Sequence, residues 1–308
     1  MSQLDRPSRP FGALLTAMAT PFEQDGALDL AAARRLAAHL VAHGHDGIVV
    51  NGTTGEAPTT TDVEKRQLIE AVRATVGPAI KIVAGVGTND TAHSLRLAAD
   101  AANAGADGLL AVTPYYSRPS QAGLIQHFLR LADATDLPVM IYDIPGRSAV
   151  QLQPATLAEL ARHQQIVAVK DATGQAGAAF EKIARTDLAY YAGDDLLGLA
   201  FLASGGSGVV SVVGHVAGGL WRQVIDAVDR GDLPRARHAM ARMLPVIDAV
   251  MGGGQGLVMI KAALEILEIL PRRTVRLPLA EATELEVGHV RRALAEAGLE
   301  PGRAASAA

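Results

Sequence analysis

One lysine at the end of an apolar run is the starting point for any chemistry in this sequence. Residues 166–169 are apolar and mostly β-branched, which is typical of a short buried strand. Lys170 follows directly, and an ammonium group is costly to bury. Such a lysine either extends its amine to solvent or loses its proton and becomes a nucleophile toward carbonyl groups. On this stretch alone the first alternative is more frequent, so the remaining sequence must decide.

Other side chains with useful chemistry also follow apolar runs. They are hydroxyl, phenol and guanidinium groups: Thr53, Thr54, Thr113, Tyr115, Tyr116, Tyr142 and Arg147. A hydrogen-bonded tyrosine can move protons while a carbonyl compound forms a Schiff base on a lysine, and an arginine fork can bind a carboxylate. Carboxylates at strand ends are common for structural reasons, and we leave three of them out of the chemistry: Glu56, Asp194 and Asp195.

The framework that must position these groups is predicted by apolar runs that alternate with helix-like segments. Eight runs predict strands, at residues 11–18, 47–50, 80–84, 108–112, 138–142, 166–170, 188–192 and 209–213. Each precedes a segment predicted to be helical, at residues 28–42, 61–76, 92–104, 122–134, 155–162, 178–184, 196–203 and 216–229. Strands that are apolar throughout are typical of a parallel sheet covered on both faces. Eight such units predict an α/β fold, a (β/α)8 TIM barrel with its active site at the carboxyl ends of the strands.

The barrel is predicted to span residues 11–230. Residues 231–299 show no strand pattern, and we expect a C-terminal helical extension with helices at 233–251, 257–270 and 280–297. Residues 1–10 and 300–308 are expected to be flexible tails.

Composition narrows the class of protein. The net charge of -4 gives no sign of nucleic-acid binding, and the absence of cysteine excludes disulfides and thiolate metal sites. We find neither a signal peptide nor an uncharged apolar run of membrane-spanning length, so we expect a cytoplasmic protein without membrane partners. Gly85-Val86-Gly87 lacks the third glycine of a dinucleotide site, and His39 and His43 lack a third ligand, so neither a cofactor nor a metal is expected.

Six short motifs stand in order along the chain. They are Gly12-Ala13-Leu14-Leu15-Thr16-Ala17, Gly52-Thr53-Thr54-Gly55-Glu56, Thr113-Pro114-Tyr115-Tyr116, Tyr142-Asp143-Ile144-Pro145-Gly146-Arg147-Ser148, Val169-Lys170-Asp171-Ala172-Thr173-Gly174 and Gly206-Ser207-Gly208-Val209-Val210-Ser211. Each is weak alone, but the ordered set resembles the dihydrodipicolinate synthase / N-acetylneuraminate lyase family of class I, pyruvate-dependent lyases. The resemblance covers residues 11–299 and reverses the initial preference for a structural Lys170.

The resemblance implies a catalytic group. Lys170 would form the Schiff base with pyruvate, and Tyr142 would donate and accept protons. Thr53 would link Tyr142 to Tyr116 in a proton relay, with Tyr116 supplied by a neighbouring subunit. Family members are usually tetramers built from two tight dimers, so a homotetramer is expected and dimerisation would be needed for catalysis.

The resemblance also implies a set of substrate contacts. Thr54, with backbone amides, would bind the carboxylate of pyruvate, and the Val210 backbone would line the pyruvate pocket. Gly193 is assigned to substrate binding as well. Arg147 would hold the carboxylate of a second substrate at the mouth of the barrel. No external cofactor is implied, because the substrate is held as an imine.

Two features favour the synthase branch of the family, in a form similar to actinobacterial members. These are the Thr53-Thr54 doublet and Arg147 in a Gly-Arg-Ser setting. The implied reaction condenses pyruvate with L-aspartate 4-semialdehyde in lysine and diaminopimelate synthesis. Two alternatives stay open: another pyruvate lyase of the family, acting on a keto-deoxy sugar acid, N-acetylneuraminate or an aromatic aldehyde, and a non-catalytic paralogue.

Several positions depart from the family pattern. Among them, Asp143 replaces a common Asn, and the usual Asn-Pro before Lys261 is missing. The site at which lysine inhibits some synthases is only partly present: Asn89 and Tyr115 match it, whereas Ala57 and His93 replace an expected Ser and Glu. We therefore expect weak or absent inhibition by lysine.

Overall fold

Parallel strands form a closed barrel in the computed structural model, which describes residues 7–253 and 255–300. Each strand pairs with the next along the chain, and the last pairs with the first. The strands are β1 (Leu14–Ala17), β2 (Gly47–Val50), β3 (Lys81–Gly85), β4 (Gly108–Val112), β5 (Val139–Asp143), β6 (Ile166–Asp171), β7 (Ala189–Ala192) and β8 (Gly208–Ser211). The predicted barrel is confirmed, although β1 is shorter than the apolar run that predicted it.

Helices connect successive strands and pack around the barrel. They are α1 (Leu30–Ala42), α2 (Asp62–Val76), α3 (Thr91–Asn103), α4 (Gln121–Asp133), α5 (Pro145–Ser148), α6 (Pro154–Leu160), α7 (Ala176–Arg185) and α8 (Gly198–Ala203), with α9 (Gly214–Asp229) after β8. The short α5 was not predicted, because a single turn is too short to show helical periodicity. A capping box starts α2: the Thr61 hydroxyl accepts from the Glu64 amide at 3.2 Å, and the Glu64 carboxylate accepts from the Thr61 amide at 2.8 Å.

Alternate residues of each strand face opposite sides of the barrel wall. On β5, Met140 and Tyr142 belong to the cluster that fills the barrel interior, whereas Val139 and Ile141 belong to the cluster beneath the helices. The same alternation on β6 places Ala168 in the interior. Side chains that stand two residues further along a strand share a face, so this pattern fixes which strand-end groups point into the barrel mouth.

Three further helices follow the barrel: α10 (Leu233–Met251), α11 (Gly256–Ile266) and α12 (Glu284–Glu296). The sequence predicted all three, but α11 ends earlier and α12 begins later than expected. The division at residue 230 stays a prediction, and most of the two predicted tails lies outside the described residues. Among the described helices, none is long and apolar enough to cross a membrane by itself, and α10 and α11 pass that test only as a pair bent by 117°.

Candidate active site

The predicted lysine and tyrosine lie side by side at the carboxyl ends of neighbouring strands. Tyr142 on β5 is the register partner of Lys170 on β6. Both are nearly buried, with 5% and 4% of their surface exposed. The Lys170 Nζ lies 4.2 Å from the centroid of the Tyr142 ring. The fold therefore places an amine and a phenol together in a site with little water.

The surroundings of Lys170 favour its neutral amine. Burial lowers the pKa of Lys170 from 10.5 to about 8, and the positive charge of Arg147 acts in the same direction. The negative charge of Asp195 partly opposes both. Within the described part of the chain Lys170 forms no ion pair, unlike the buried Lys182 and Lys261. About a tenth of the amine is thus unprotonated at pH 7, far more than for an ordinary lysine, and can attack a carbonyl carbon.

The phenol of Tyr142 is held in its protonated form. Burial raises the pKa of Tyr142 to about 12, while the charge of Arg147 and a hydrogen bond with Thr53 oppose this effect. At neutral pH the phenol can therefore donate a proton and take it back through its hydrogen bond to Thr53. Thr53 thus neighbours Tyr142, and its place in a proton relay stays a prediction.

A cavity of about 400 Å³ opens beside Tyr142. Thr53 and Tyr142 line one part of its wall, and Arg147 lines another. The exposed Arg147 is carried by α5, the single turn that directly follows β5. Its amide and that of Ser148 donate to the Ile144 carbonyl, which fixes the turn. The guanidinium thus stands where an anionic substrate would enter.

The other residues predicted to contact substrate are Thr54, Val210 and Gly193, and they lie in different parts of the barrel. Thr54 is buried in the loop after β2, and Val210 on β8 belongs to the cluster that fills the barrel interior. A Cβ atom at Gly193 would lie 3.0 Å from Cβ of Ala172 and 3.1 Å from Cγ and Cε of Lys170. Gly193 therefore leaves room for the lysine side chain, and its substrate contact stays a prediction.

Tyr116 is the one predicted catalytic residue that the fold of a single chain leaves outside the site. Its side chain is 89% exposed, and it does not line the cavity, whereas Tyr115 does. Its backbone has a φ of 75°, a left-handed conformation that is uncommon for a tyrosine. The side chain thus projects away from its own barrel, where only another molecule could use it.

Asp195 is a neighbour of the site that the sequence analysis left out. Its buried carboxylate accepts hydrogen bonds from the Ser211 hydroxyl, from the Val212 amide at 2.8 Å and from the Trp221 indole at 3.1 Å. Its charge acts on Lys170 through space. The position of Asp195 just beyond β7, the strand beside β6, was the available signal, but strand-end carboxylates are too common to single one out.

Comparison with known proteins gives consistent matches. The sequence model of the Dihydrodipicolinate synthetase family matches residues 10–297. The 4-hydroxy-tetrahydrodipicolinate synthase of Kineococcus radiotolerans is 55% identical over 296 residues, or 96% of each chain. That of Acidothermus cellulolyticus is 53% identical over 94% of this chain and 93% of its own. The crystal structure of the DHDPS of Cyanidioschyzon merolae with lysine bound has a TM-score of 0.91 and 37% identity, covering 95% of this chain and all of the other.

A TIM barrel with a buried lysine and tyrosine at adjoining strand ends is the architecture expected of a Schiff-base lyase. The chain belongs to the dihydrodipicolinate synthetase family. The resemblance inferred from six motifs is thus confirmed, and so is the similarity to actinobacterial synthases.

Proposed function

We propose that this barrel condenses pyruvate with L-aspartate 4-semialdehyde through a Schiff base on Lys170. The chain is a lyase of the 4-hydroxy-tetrahydrodipicolinate synthase kind, as are the curated relatives that match nearly its whole length. Such an enzyme serves lysine and diaminopimelate synthesis. The observation that carries the assignment to Lys170 is its unpaired, buried amine next to the buried Tyr142 phenol.

The chemistry follows from these two groups. The neutral Lys170 amine attacks the keto carbon of pyruvate, and the carbinolamine loses water when Tyr142 delivers a proton to its hydroxyl. The Tyr142 phenolate then takes a proton from the pyruvate methyl group of the imine to give an enamine. The enamine carbon attacks the aldehyde carbon of the semialdehyde and forms the new C–C bond, while the aldehyde oxygen takes the proton from Tyr142 and becomes a hydroxyl group. The amino group of the semialdehyde then displaces Lys170 from the imine and closes the ring.

Three residues are proposed to hold the substrates. Thr54, with neighbouring amides of its loop, binds the pyruvate carboxylate, and the Val210 backbone lines the same pocket. Arg147 binds the carboxylate of the semialdehyde, because its exposed guanidinium lines the entrance to the cavity. No external cofactor is required, since the lysine amine itself activates the keto acid.

Tyr116 is proposed to complete the proton relay of a neighbouring subunit. Its exposure of 89% and its left-handed backbone support this role, because both direct the phenol away from its own barrel. The relay would then run from Tyr142 through Thr53 to Tyr116 of a second copy, in a homotetramer built from two dimers. We place this assembly in the cytoplasm, where the biosynthetic reaction takes place.

An assay of aldehyde specificity tests the proposed function. The enzyme is supplied with pyruvate and a panel of L-aspartate 4-semialdehyde, short sugar aldehydes, N-acetylmannosamine and aromatic aldehydes. We expect the semialdehyde to have the highest kcat/KM. A higher value for another aldehyde would assign the chain to another lyase activity of the family, and no turnover with any aldehyde would support the non-catalytic alternative.

A further inference from the structure

A buried ion pair joins the C-terminal helices to the loop after β2. Lys261 on α11 has no exposed surface, Glu56 is 2% exposed, and the Lys261 Nζ lies 2.6 Å from Oε1 of Glu56. Lys261 also donates to the Thr274 carbonyl at 2.7 Å, and Oε2 of Glu56 accepts from the Arg276 amide at 2.9 Å. The two charges are separated by 205 positions in sequence, so only the folded chain brings them together.

Glu56 closes the loop that carries the proposed substrate contacts. Its amide donates to the Thr53 carbonyl at 3.1 Å, and the Ala57 amide donates to the Gly52 carbonyl at 3.2 Å. The Glu56 backbone is left-handed, with a φ of 56°. A non-glycine residue keeps this conformation only when its surroundings fix it, and here Lys261 and Arg276 hold the Glu56 side chain from the other side.

The pair is a poor device for stability alone. A buried ion pair can often be replaced by packed apolar residues without loss, because desolvating two charges offsets their attraction. Its direct effect is geometric: the carboxylate of Glu56 is bound on both oxygens, and the loop cannot shift without breaking these bonds. The Lys261 amine also lies 4.5 Å from the centre of the Phe22 ring, which fixes its approach to Glu56.

We propose that Glu56 and Lys261 are positioning residues, which hold Thr53 and Thr54 where pyruvate and the Tyr142 phenol need them. The C-terminal helices are then part of the catalytic apparatus, although they stand outside the barrel. The inference rests on the proposed function, because it assumes that Thr53 and Thr54 serve the pyruvate imine.

Three variants test this inference: Glu56→Gln, Lys261→Met and the double variant Glu56→Gln/Lys261→Met. The double variant leaves no unpaired charge in the interior, so it is the one expected to keep a wild-type melting temperature. We expect the pyruvate KM to rise and the rate of borohydride trapping on Lys170 to fall by about tenfold or more in Glu56→Gln and in the double variant, as small displacements of reacting groups do. The KM for the semialdehyde should stay within about twofold, because Arg147 stands on a different loop.

Glu265→Gln is the matched control. Glu265 lies one turn further along α11 and pairs with Arg273 at 2.5 Å, without a contact to the loop after β2. This variant should keep the pyruvate KM of the wild type. An equal rise in Glu265→Gln, or a double variant with a wild-type pyruvate KM, would overturn the inference. If the wild type forms no pyruvate adduct on Lys170, the proposed function fails and the inference with it, whereas unchanged variants beside a reactive wild type overturn the inference alone.

Discussion

Lys170 and Lys261 are both buried in this barrel, but their surroundings differ. Lys261 is paired with Glu56 at 2.6 Å and bound to a carbonyl, so its charge is satisfied in place. Lys170 forms no such ion pair among the described residues, and its Nζ lies 4.2 Å from the centroid of the Tyr142 ring. Burial lowers the pKa of both amines, yet only one remains free to react. If Lys170 is the nucleophile, as we propose, the missing ion-pair partner distinguishes it from the structural cation Lys261 more than burial does.

The largest expected effect is the loss of turnover when Lys170, and not Lys261, is replaced by methionine. Lys170→Met should remove turnover, a loss of at least about a thousandfold, because it removes the amine proposed to form the imine. The same change should stabilise the fold at pH 7 by roughly 1–3 kcal/mol, since a native pKa of about 8 against 10.5 means that an unpaired buried amine destabilises the wild type.

The sign of the pH dependence checks this explanation. The unfolded chain binds more protons than the native one between pH 8 and 10.5, so wild-type stability rises with pH there and the gain from Lys170→Met should fade.

Lys261→Met should instead destabilise the fold by about 3–5 kcal/mol, because Glu56 is left buried and unpaired. Equal effects of both substitutions on the melting temperature at pH 7 would contradict the comparison.

Arg147→Ala should separate imine formation from condensation. The pyruvate adduct on Lys170 should still form, whereas kcat/KM for the semialdehyde should fall by about a hundredfold, because its carboxylate loses a charged, bidentate partner. Steady-state kinetics beside borohydride trapping measures the two effects. Normal turnover with the semialdehyde would exclude Arg147 from the site.

Lys182 is a third buried lysine, and its charge acts on two carboxylates, those of Asp171 and Asp143. It pairs with Asp171 at 2.7 Å, while Asp143, the register partner of Asp171, has a buried Oδ2 with no hydrogen-bond partner among the described residues. Burial raises the pKa of Asp143 to about 7, and the charge of Lys182 opposes this only in part. The native carboxyl thus holds a proton that the unfolded chain has lost, and stability falls as pH rises from about 4 through 7.

Asp143→Asn should therefore stabilise the protein at pH 8 by on the order of 1–3 kcal/mol and much less at pH 5. Thermal unfolding of both proteins at the two pH values measures this. An equal change at both would show that Asp143 does not titrate as described.

Removing the negative charge of Asp195 should change the pKa of Lys170. Asp195 raises the pKa of the amine, so Asp195→Asn should lower this pKa further below its ordinary value. Because the neutral amine is the nucleophile, the acid limb of the pH profile for borohydride trapping should move to lower pH by on the order of one unit. An unmoved limb would mean that Asp195 serves only the end of β8 and Trp221.

The smallest expected effect concerns lysine as an effector. The cavity is lined by Ala57 and by His93, whose Nε2 lies 2.9 Å from Asp62. We expect L-lysine at about 5 mM to change the rate by less than about twofold, because Ala57 and His93 replace the Ser and Glu expected of a lysine-inhibited synthase. Half-inhibition by millimolar lysine would show that this chain binds lysine, as the solved relative from Cyanidioschyzon merolae does.

The sequence allowed the barrel, Lys170 and Tyr142 to be predicted for a simple reason. Continuous apolar runs identify parallel strands, and strands that follow each other in a barrel place their end residues together. Contacts between distant segments, such as the ion pair of Glu56 and Lys261, could not be predicted, because no local sequence pattern links the two residues. Asp195 was missed for the opposite reason, since its local pattern is too common to be informative.

The most direct test of the account uses pyruvate, borohydride and peptide mass spectrometry on the wild-type protein. Reduction should leave an N-(1-carboxyethyl) group on Lys170 and leave Lys261 unmodified, because the Lys261 amine is held in an ion pair with Glu56. An unmodified Lys170, or an N-(1-carboxyethyl) group on Lys261, would contradict the central claim.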